Sequence, residues 1–349
     1  MITAGKDQNQ CPLSGAEGKA LRQFSGEHLA SFFPAHIGVS LPEELQTKYY
    51  SQAFTEYESA ISGLRWFSPI LAAEEDFYAF LADHCEWYYQ ENGWDKGIAL
   101  DFLVKQNCKS LLEVGCGAGL FLDRARVLGI HGSGVDINTA ALSKARSKGL
   151  DVSHPAEGKS GPTEALCMFQ VLEHLPQPLK TLQEYIEPTD PEWILISVPS
   201  YESTLGLTSD PLVWPPHHIT FWSEKSLRFL AGEVGYEMHS FFRQPVYYRD
   251  FVHIWRKEET LESPIGRFRP SEGWDRISQS LNWSTQIFDG DPTGIIRKAA
   301  RLANRRWGDD PTAMTRPPAF SRFRWLLSRL QGKDWAFTRN SIFAVLRKK

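Results

Sequence analysis

Leu111-Leu112-Glu113-Val114-Gly115-Cys116-Gly117-Ala118-Gly119-Leu120 is the stretch that decides the fold of this 349-residue chain. A short apolar run enters three glycines at alternate positions, and residues 120–128 continue with helical character. Strand, glycine turn and helix in that order form a β-turn-α unit. Glycines there free the backbone for conformations closed to other residues and let a ligand approach the main chain. Outward from this unit, residues 96–105 read as a preceding helix, 132–136 as a second strand and 139–148 as a helix. Residues 150–153, 165–169 and 193–198 follow as a third, fourth and fifth strand. Short apolar strands alternating with helices predict an α/β fold: a doubly wound, Rossmann-like parallel sheet covered on both faces. Ligands then sit at the carboxyl ends of the strands.

Towards the amino terminus, Ile70, Leu71, Phe77, Phe80, Leu81, Cys85 and Tyr88 recur at helical spacing until Asn92-Gly93 stops the run. Residues 1–70 contain scattered Gly, Ser and Pro with no sustained period and read as a loop-rich module. Towards the other end, residues 223–234 predict a helix with Ser223 as N-cap, 236–242 an extended segment and 341–346 the last strand. Roughly 90 residues separate those two strands, far beyond a hairpin loop, so 246–335 reads as a helical insertion before the last strand. The expected organisation is therefore a module at 1–70, a core at 71–245, the insertion at 246–335 and a final core strand at 336–349.

The length exceeds what one ordinary domain needs, and the composition is that of a globular chain, with 42% hydrophobic and 23% charged residues. No apolar run approaches the ~20 residues of a spanning helix, and residues 1–10 lack a secretory apolar stretch. A cytoplasmic location is the default expectation. The five cysteines are odd in number and form no C-x-x-C pair, which argues against a disulfide framework. The formal net charge of −4 hides an asymmetry, because residues 295–349 carry fourteen Lys and Arg against three acids.

Asp136 closes the second strand about 20 residues past the first glycine, where a carboxylate accepts ribose hydroxyls; together with the glycine turn this describes a site for an adenosine-containing cofactor. Leu120 stands where a dinucleotide fold would place its third glycine, which weakens the NAD reading. Through residues 112–119, Val135-Asp136 and Phe169-Gln170-Val171-Leu172-Glu173-His174-Leu175, the sequence resembles the class I S-adenosylmethionine-dependent methyltransferases. The resemblance implies S-adenosylmethionine as cofactor, with Glu113, Gly115, Cys116, Gly117 and Gly119 at its methionine half and Asp136 at its ribose. It also implies that Gln170 and Val171 flank the cofactor after strand four, with Ile137 an apolar neighbour of the adenine. An acid near the adenine amino group is left open among Asp151, Glu157 and Glu164.

Pro215-Pro216-His217-His218-Ile219-Thr220-Phe221-Trp222-Ser223 is similar to a segment beside the acceptor pocket in the branch that methylates sugars, quinones and other small metabolites. Methyl transfer from an activated sulfonium needs mainly positioning, and a hydroxyl acceptor also benefits from a base. His217 and His218, and after them His174, are the candidate catalytic residues. A metal held by these histidines and Glu173 is not expected, because adjacent histidines on an extended strand point in different directions and hard ions prefer carboxylates.

Relatives in this branch often begin with a four-cysteine zinc knuckle. Cys11-Pro12-Leu13-Ser14-Gly15 and Ser59-Ala60-Ile61-Ser62-Gly63 keep its spacing with a single thiol, which predicts a degenerate zinc-ribbon-like module without metal, packed on Trp66 and Phe67. The basic carboxyl-terminal stretch offers apolar stripes at Ile296, Ala299, Ala300, Ala303 and Trp307 and at Phe320, Phe323, Leu326, Leu327 and Leu330. The favoured reading is helices that cover the core or a homodimer partner. The sharper reading is peripheral membrane contact with anionic headgroups, or attraction of a phosphorylated or lipid-linked sugar acceptor. The expected activity is methyl transfer to a hydroxyl of a sugar, glycan or specialised metabolite. The alternative is a catalytically inactive binding or scaffold protein of the same fold, against which the intact glycine turn and Asp136 stand. A nucleic-acid partner is not expected, since the catalytic part is acidic and lacks an Asn/Asp-Pro-Pro-aromatic motif.

Overall fold

The computed structural model describes residues 9–85, 93–157, 161–201, 211–245 and 338–349. Its main sheet is built from runs that are apolar on both sides, as a doubly covered sheet requires. The strands β4 (Ser110–Val114), β5 (His131–Val135), β6 (Asp151–Ser153), β7 (Ala165–Phe169) and β8 (Trp193–Pro199) run parallel to their neighbours, and β7 and β8 are buried at every position. The strand β11 (Thr338–Lys348) lies antiparallel against β8, pairing Ser341 with Pro199 through Arg347 with Trp193. With β10 (Tyr236–Pro245) at the edge, the seven-stranded order is β10-β11-β8-β7-β4-β5-β6.

Alternate residues of each strand feed two separate cores, as the period of two demands. Leu112, Val114, Leu166, Met168, Ile194 and Ile196 share one cluster with Leu182 of α8 (Pro178–Thr189) and Leu227 and Leu230 of α9 (Glu224–Glu233). Leu111, Ala165, Cys167, Phe169 and Leu195 share the other with α5 (Trp94–Lys105), α6 (Leu120–Val127) and α7 (Thr139–Ser147). Ser223 caps α9 as expected, in a reciprocal pair with Ser226.

The amino-terminal stretch, read as loop-rich, holds more regular structure than its composition suggested. Here β1 (Lys19–Ser25), β2 (Ala53–Glu58) and β3 (Arg65–Ser68) form an antiparallel sheet with the short helices α1 (Gly26–Ala30), α2 (Phe32–His36) and α3 (Glu43–Tyr50) between the first two strands. Its fourth strand, β9 (Thr220–Phe221), comes from the loop after β8 and pairs antiparallel with β3. Trp66 and Phe67 are fully buried, and Trp66 lies in the same cluster as Leu112 and Trp222. The two knuckle-like turns do meet. Cys11 Sγ is 3.3 Å from Ser62 Oγ, and Ser14 Oγ is 3.3 Å from Ser59 Oγ, so one thiol and three hydroxyls hydrogen-bond across the junction.

The helix expected from Ile70 onward is α4 (Glu75–His84), five residues shorter at its start because Pro69 and the segment through Ala73 are non-helical. The insertion at 246–335 and the basic stripes lie outside the described residues, as do residues 86–92, 158–160 and 202–210. Residues 202–209 and 244–340 belong to a second unit, of which only the strand ends at 244–245 and 338–340 are described. All five cysteines are free and buried. No helix among the described residues is long and apolar enough to cross a membrane.

Because Trp66 ties the amino-terminal sheet to the main core, Trp66→Ala should destabilise both together by about 3–5 kcal/mol, the usual cost of emptying a large buried aromatic site. Urea unfolding followed by fluorescence and far-ultraviolet circular dichroism should show one coincident transition at lower denaturant; two separated transitions would show independent sheets.

Candidate active site

The three glycines of the turn all take the left-handed backbone region, with φ of +77° at Gly115, +52° at Gly117 and +72° at Gly119. A Cβ on Gly115 would come within 2.5 Å of Val171 Cγ2, so the side chain after β7 closes over the turn and only glycine leaves room. Gly115 and Cys116 donate to Val135 O at 2.8 and 3.1 Å, which pins the turn to the end of β5.

Asp136 sits at that junction. Its Oδ2 accepts from Gly117 N and its Oδ1 from Asn138 N, each at 2.7 Å. Each oxygen keeps acceptor capacity, so the carboxylate is oriented for a pair of ribose hydroxyls. Asn138 in turn caps α7 by accepting from Ala141 N. Ile137 is exposed at the rim.

Glu113, beneath the turn, is fully buried and neither carboxylate oxygen has a hydrogen-bond partner. Lys96 Nζ lies 3.8 Å from its Oε1. Burial raises the Glu113 carboxyl to about 8, against the opposing pull of Lys96. A buried acid that lacks its full complement of partners, beside a cradle that only glycine permits, fits a ligand that brings positive charge; S-adenosylmethionine carries a sulfonium and an ammonium. Cys116 contributes its backbone, since its thiol faces Gly134, where an added Cβ would meet Sγ at 2.7 Å.

After β7 the chain turns sharply. Gln170 has φ +56°, donates its backbone N–H to Ser197 O at 2.9 Å and its side-chain amide to Ser197 Oγ at 3.1 Å, while Ser197 donates to Asp95. The 3-10 turn Leu172–His174 follows. Opposite it, Trp214 O accepts from both His217 N and His218 N at 3.1 Å, so the histidine segment is a turn.

Adjacent histidines therefore do not diverge as they would on an extended strand, which corrects the extended geometry expected for this segment. The rings of His217 and His218 stack with centroids 4.6 Å apart, and His174 meets them edge-on at 4.6 and 5.0 Å. His174 Nδ1–H donates to His217 O at 2.5 Å and His217 Nδ1–H to Leu212 O at 2.7 Å. Burial keeps all three neutral: it lowers His174 to about 4 and holds His217 and His218 well below the usual histidine range.

These groups line one cavity of about 1420 Å³ at the carboxyl ends of the strands. Gly115, Cys116, Gly117, Asp136, Ile137, Gln170, Val171, His174, His217 and His218 all line it, while Glu113 and Gly119 support the turn from behind. Gly119 N-caps α6, and a Cβ there would meet Leu150 Cδ1 at 2.4 Å. Asp95 and Lys96 line the cavity without having been singled out in the sequence; their place at the start of the helix that follows Gly93, ahead of the glycine turn, was the available signal. Glu75, Tyr78, Ala79, Ala82 and Asp83 of α4 form a further wall. Among the described lining residues none of Asp151, Glu157 or Glu164 occurs; His154 and Pro155 take that end, Glu157 pairs with Arg146, and Glu164 accepts from Lys109 N and Ser110 N.

Residues 87–240 match a family described as a methyltransferase domain. Over 81 residues the chain is 33% identical to a ubiquinone biosynthesis O-methyltransferase of Nitrosococcus oceani, covering 20% of this chain and 34% of that protein. The counterpart in Hahella chejuensis is 28% identical over 99 residues, covering 24% and 42%. The chain thus spans about a third to two fifths of the length of these curated relatives. A crystal structure of a SAM-dependent methyltransferase from Archaeoglobus fulgidus is similar over 78% of this chain and 99% of its own, at 14% identity and a TM-score of 0.40. Residues 87–240 thus carry a methyltransferase domain, and the glycine cradle and Asp136 lie within it.

Proposed function

We infer that the protein transfers a methyl group from S-adenosylmethionine to an oxygen of a small-molecule acceptor, a hydroxyl of a sugar, glycan or specialised metabolite. The observation that carries this reading is Asp136, whose carboxylate is locked by Gly117 N and Asn138 N at the mouth of the glycine turn. The relatives' role as O-methyltransferases in ubiquinone biosynthesis supports oxygen as the receiving atom. When bound, the cofactor would supply an electrophilic methyl carbon on a sulfonium sulfur, a leaving group that would keep the bonding electron pair as a neutral thioether.

The chain's residues do the positioning. Gly115 and Gly117 bring the backbone to the methionine half, Asp136 takes the ribose, Gln170 and Val171 cover the cofactor, and Asp95 and Lys96 face it from α5. At the acceptor end, His174, His217 and His218 offer lone pairs to the hydroxyl, and the proton it loses is taken up on this side of the cavity. Neutral imidazoles suit that task better than imidazolium, and burial keeps them neutral.

Isothermal titration of S-adenosylmethionine and S-adenosylhomocysteine should show binding that Asp136→Ala weakens by about 10- to 100-fold, as the loss of hydrogen bonds to a charged group predicts. Absence of binding to the unaltered protein would sink the enzyme reading and favour an inactive protein of the same fold.

Glu113 makes that affinity pH-dependent. Below about pH 8 its carboxyl is protonated in the cofactor-free protein, and a cationic ligand binds the ionised form better. Binding should therefore release a proton and tighten as pH rises from about 6 to about 8. Glu113→Gln should remove both the slope and the buffer-dependent proton signal in calorimetry; a flat profile for the unaltered protein would rule this coupling out.

A further inference from the structure

His174, His217 and His218 each offer a ring nitrogen, and these three atoms lie within 4.8 Å of one another. Nitrogens bound to one tetrahedral ion at roughly 2.0–2.1 Å sit about 3.3 Å apart, so modest side-chain rotation closes the set. Two of the rings are already held in the tautomer a metal needs. The Nδ1–H of His174 and of His217 each donate to a backbone carbonyl, which places the lone pair on Nε2; this is the outer hydrogen bond that orients a metal-binding imidazole.

A second observation points to the same ligand. Glu173 is fully buried, both its oxygens lack a hydrogen-bond partner, and its Oε1 lies 3.9 Å from His174 Nε2 and 4.0 Å from His218 Nε2. The Nδ1 of His218 is also buried without a partner. Buried polar atoms are ordinarily satisfied, and among the described residues no Lys or Arg pairs with this carboxyl.

We propose that His174, His217, His218 and Glu173 bind one divalent transition-metal ion of the zinc class at the acceptor end of the cavity. Three imidazole nitrogens and one carboxylate oxygen suit zinc, cobalt, nickel or iron(II), whereas magnesium and calcium take oxygen sets. The ion binds whether or not methyl transfer is the activity; only its use, holding the acceptor's oxygen and favouring loss of its proton in place of direct contact with the imidazole lone pairs, rests on that reading.

The full chain, stripped with chelator and dialysed, is titrated with zinc and separately with cobalt, with elemental analysis, the visible spectrum of bound cobalt and Tm as readouts. One ion per chain, cobalt bands and a raised Tm are expected. Glu173→Gln should weaken zinc at least tenfold, and His174→Gln with His218→Gln should abolish stoichiometric uptake, with circular dichroism confirming the fold. Cys11→Ser, which removes the only thiol at the knuckle-like turns, should change nothing. Uptake that survives the histidine variants, or no uptake by the unaltered chain, overturns the proposal; if those variants fail to fold, absence of cobalt bands in the unaltered protein decides alone. Titration of S-adenosylmethionine into stripped and loaded protein separates the two readings. Cofactor binding without metal uptake removes only the metal site, and metal uptake without cofactor binding removes only methyl transfer.

Discussion

The backbone hydrogen bond from Ile219 N to Glu173 O, at 2.9 Å, holds the acceptor end of this protein together. Around it, His174 Nδ1–H donates to His217 O, Thr220 Oγ1 to Leu172 O, Phe67 N to Ile219 O and Ala73 N to Pro216 O. Three pieces of chain distant in sequence meet there: the turn after β7, the histidine segment and the amino-terminal sheet. The strand pairing of β3 with β9 supplies part of this junction, and the turns on either side need one another's donors and acceptors to satisfy their backbone. The histidine geometry follows from this stitch rather than from any local preference of the Pro215-Pro216-His217-His218 sequence.

The cofactor end obeys a different constraint. There the backbone is fixed by glycines and by one carboxylate, and the unresolved quantity is charge. Glu113 and Glu173, both fully buried with unpartnered oxygens, sit at the two ends of the same site, and Lys96 partly balances only the first. Unpaired buried carboxylates are costly, and here the cost is carried where ligands enter. A cationic cofactor answers one of them and leaves the other for the acceptor side.

Most of the main sheet was legible because its strands are short, apolar and bounded by glycine or polar residues. β4 through β8 fall within one or two residues of their expected spans, since a doubly buried strand leaves little freedom of pattern. The helix α8 went unassigned although Leu179, Leu182, Tyr185 and Ile186 carry its spacing; Pro178 and Pro188 bracket it and read as breaks, yet a proline is well tolerated in a first turn. The glycine turn was legible because backbone need dictates residue type: only glycine fits at 115, against Val171. The convergence of three histidines was not, because it depends on the turn at Trp214 and on hydrogen bonds to segments 43 to 48 residues away. Asp95 and Lys96 were missed for the same reason: helix periodicity says nothing of which helix start faces a neighbouring turn.

The further wall of the cavity follows from the same geography. The family match begins at residue 87, yet Glu75, Tyr78, Ala79, Ala82 and Asp83 line the cavity from before that point. Tyr78 stands 6.2 Å from the His174 ring and 6.0 Å from that of His217, and Phe77 stands 6.4 Å from His217, so this wall borders the histidines themselves. A helix outside the shared region is free to vary in the size and polarity it presents, while the glycine turn is bound by backbone geometry. The family match covers the glycine turn, Asp136 and the histidine segment and leaves α4 outside it. The histidine end of the cavity is bordered by α4, and Phe67, Ala73 and β9 tie the histidine segment to the amino-terminal sheet.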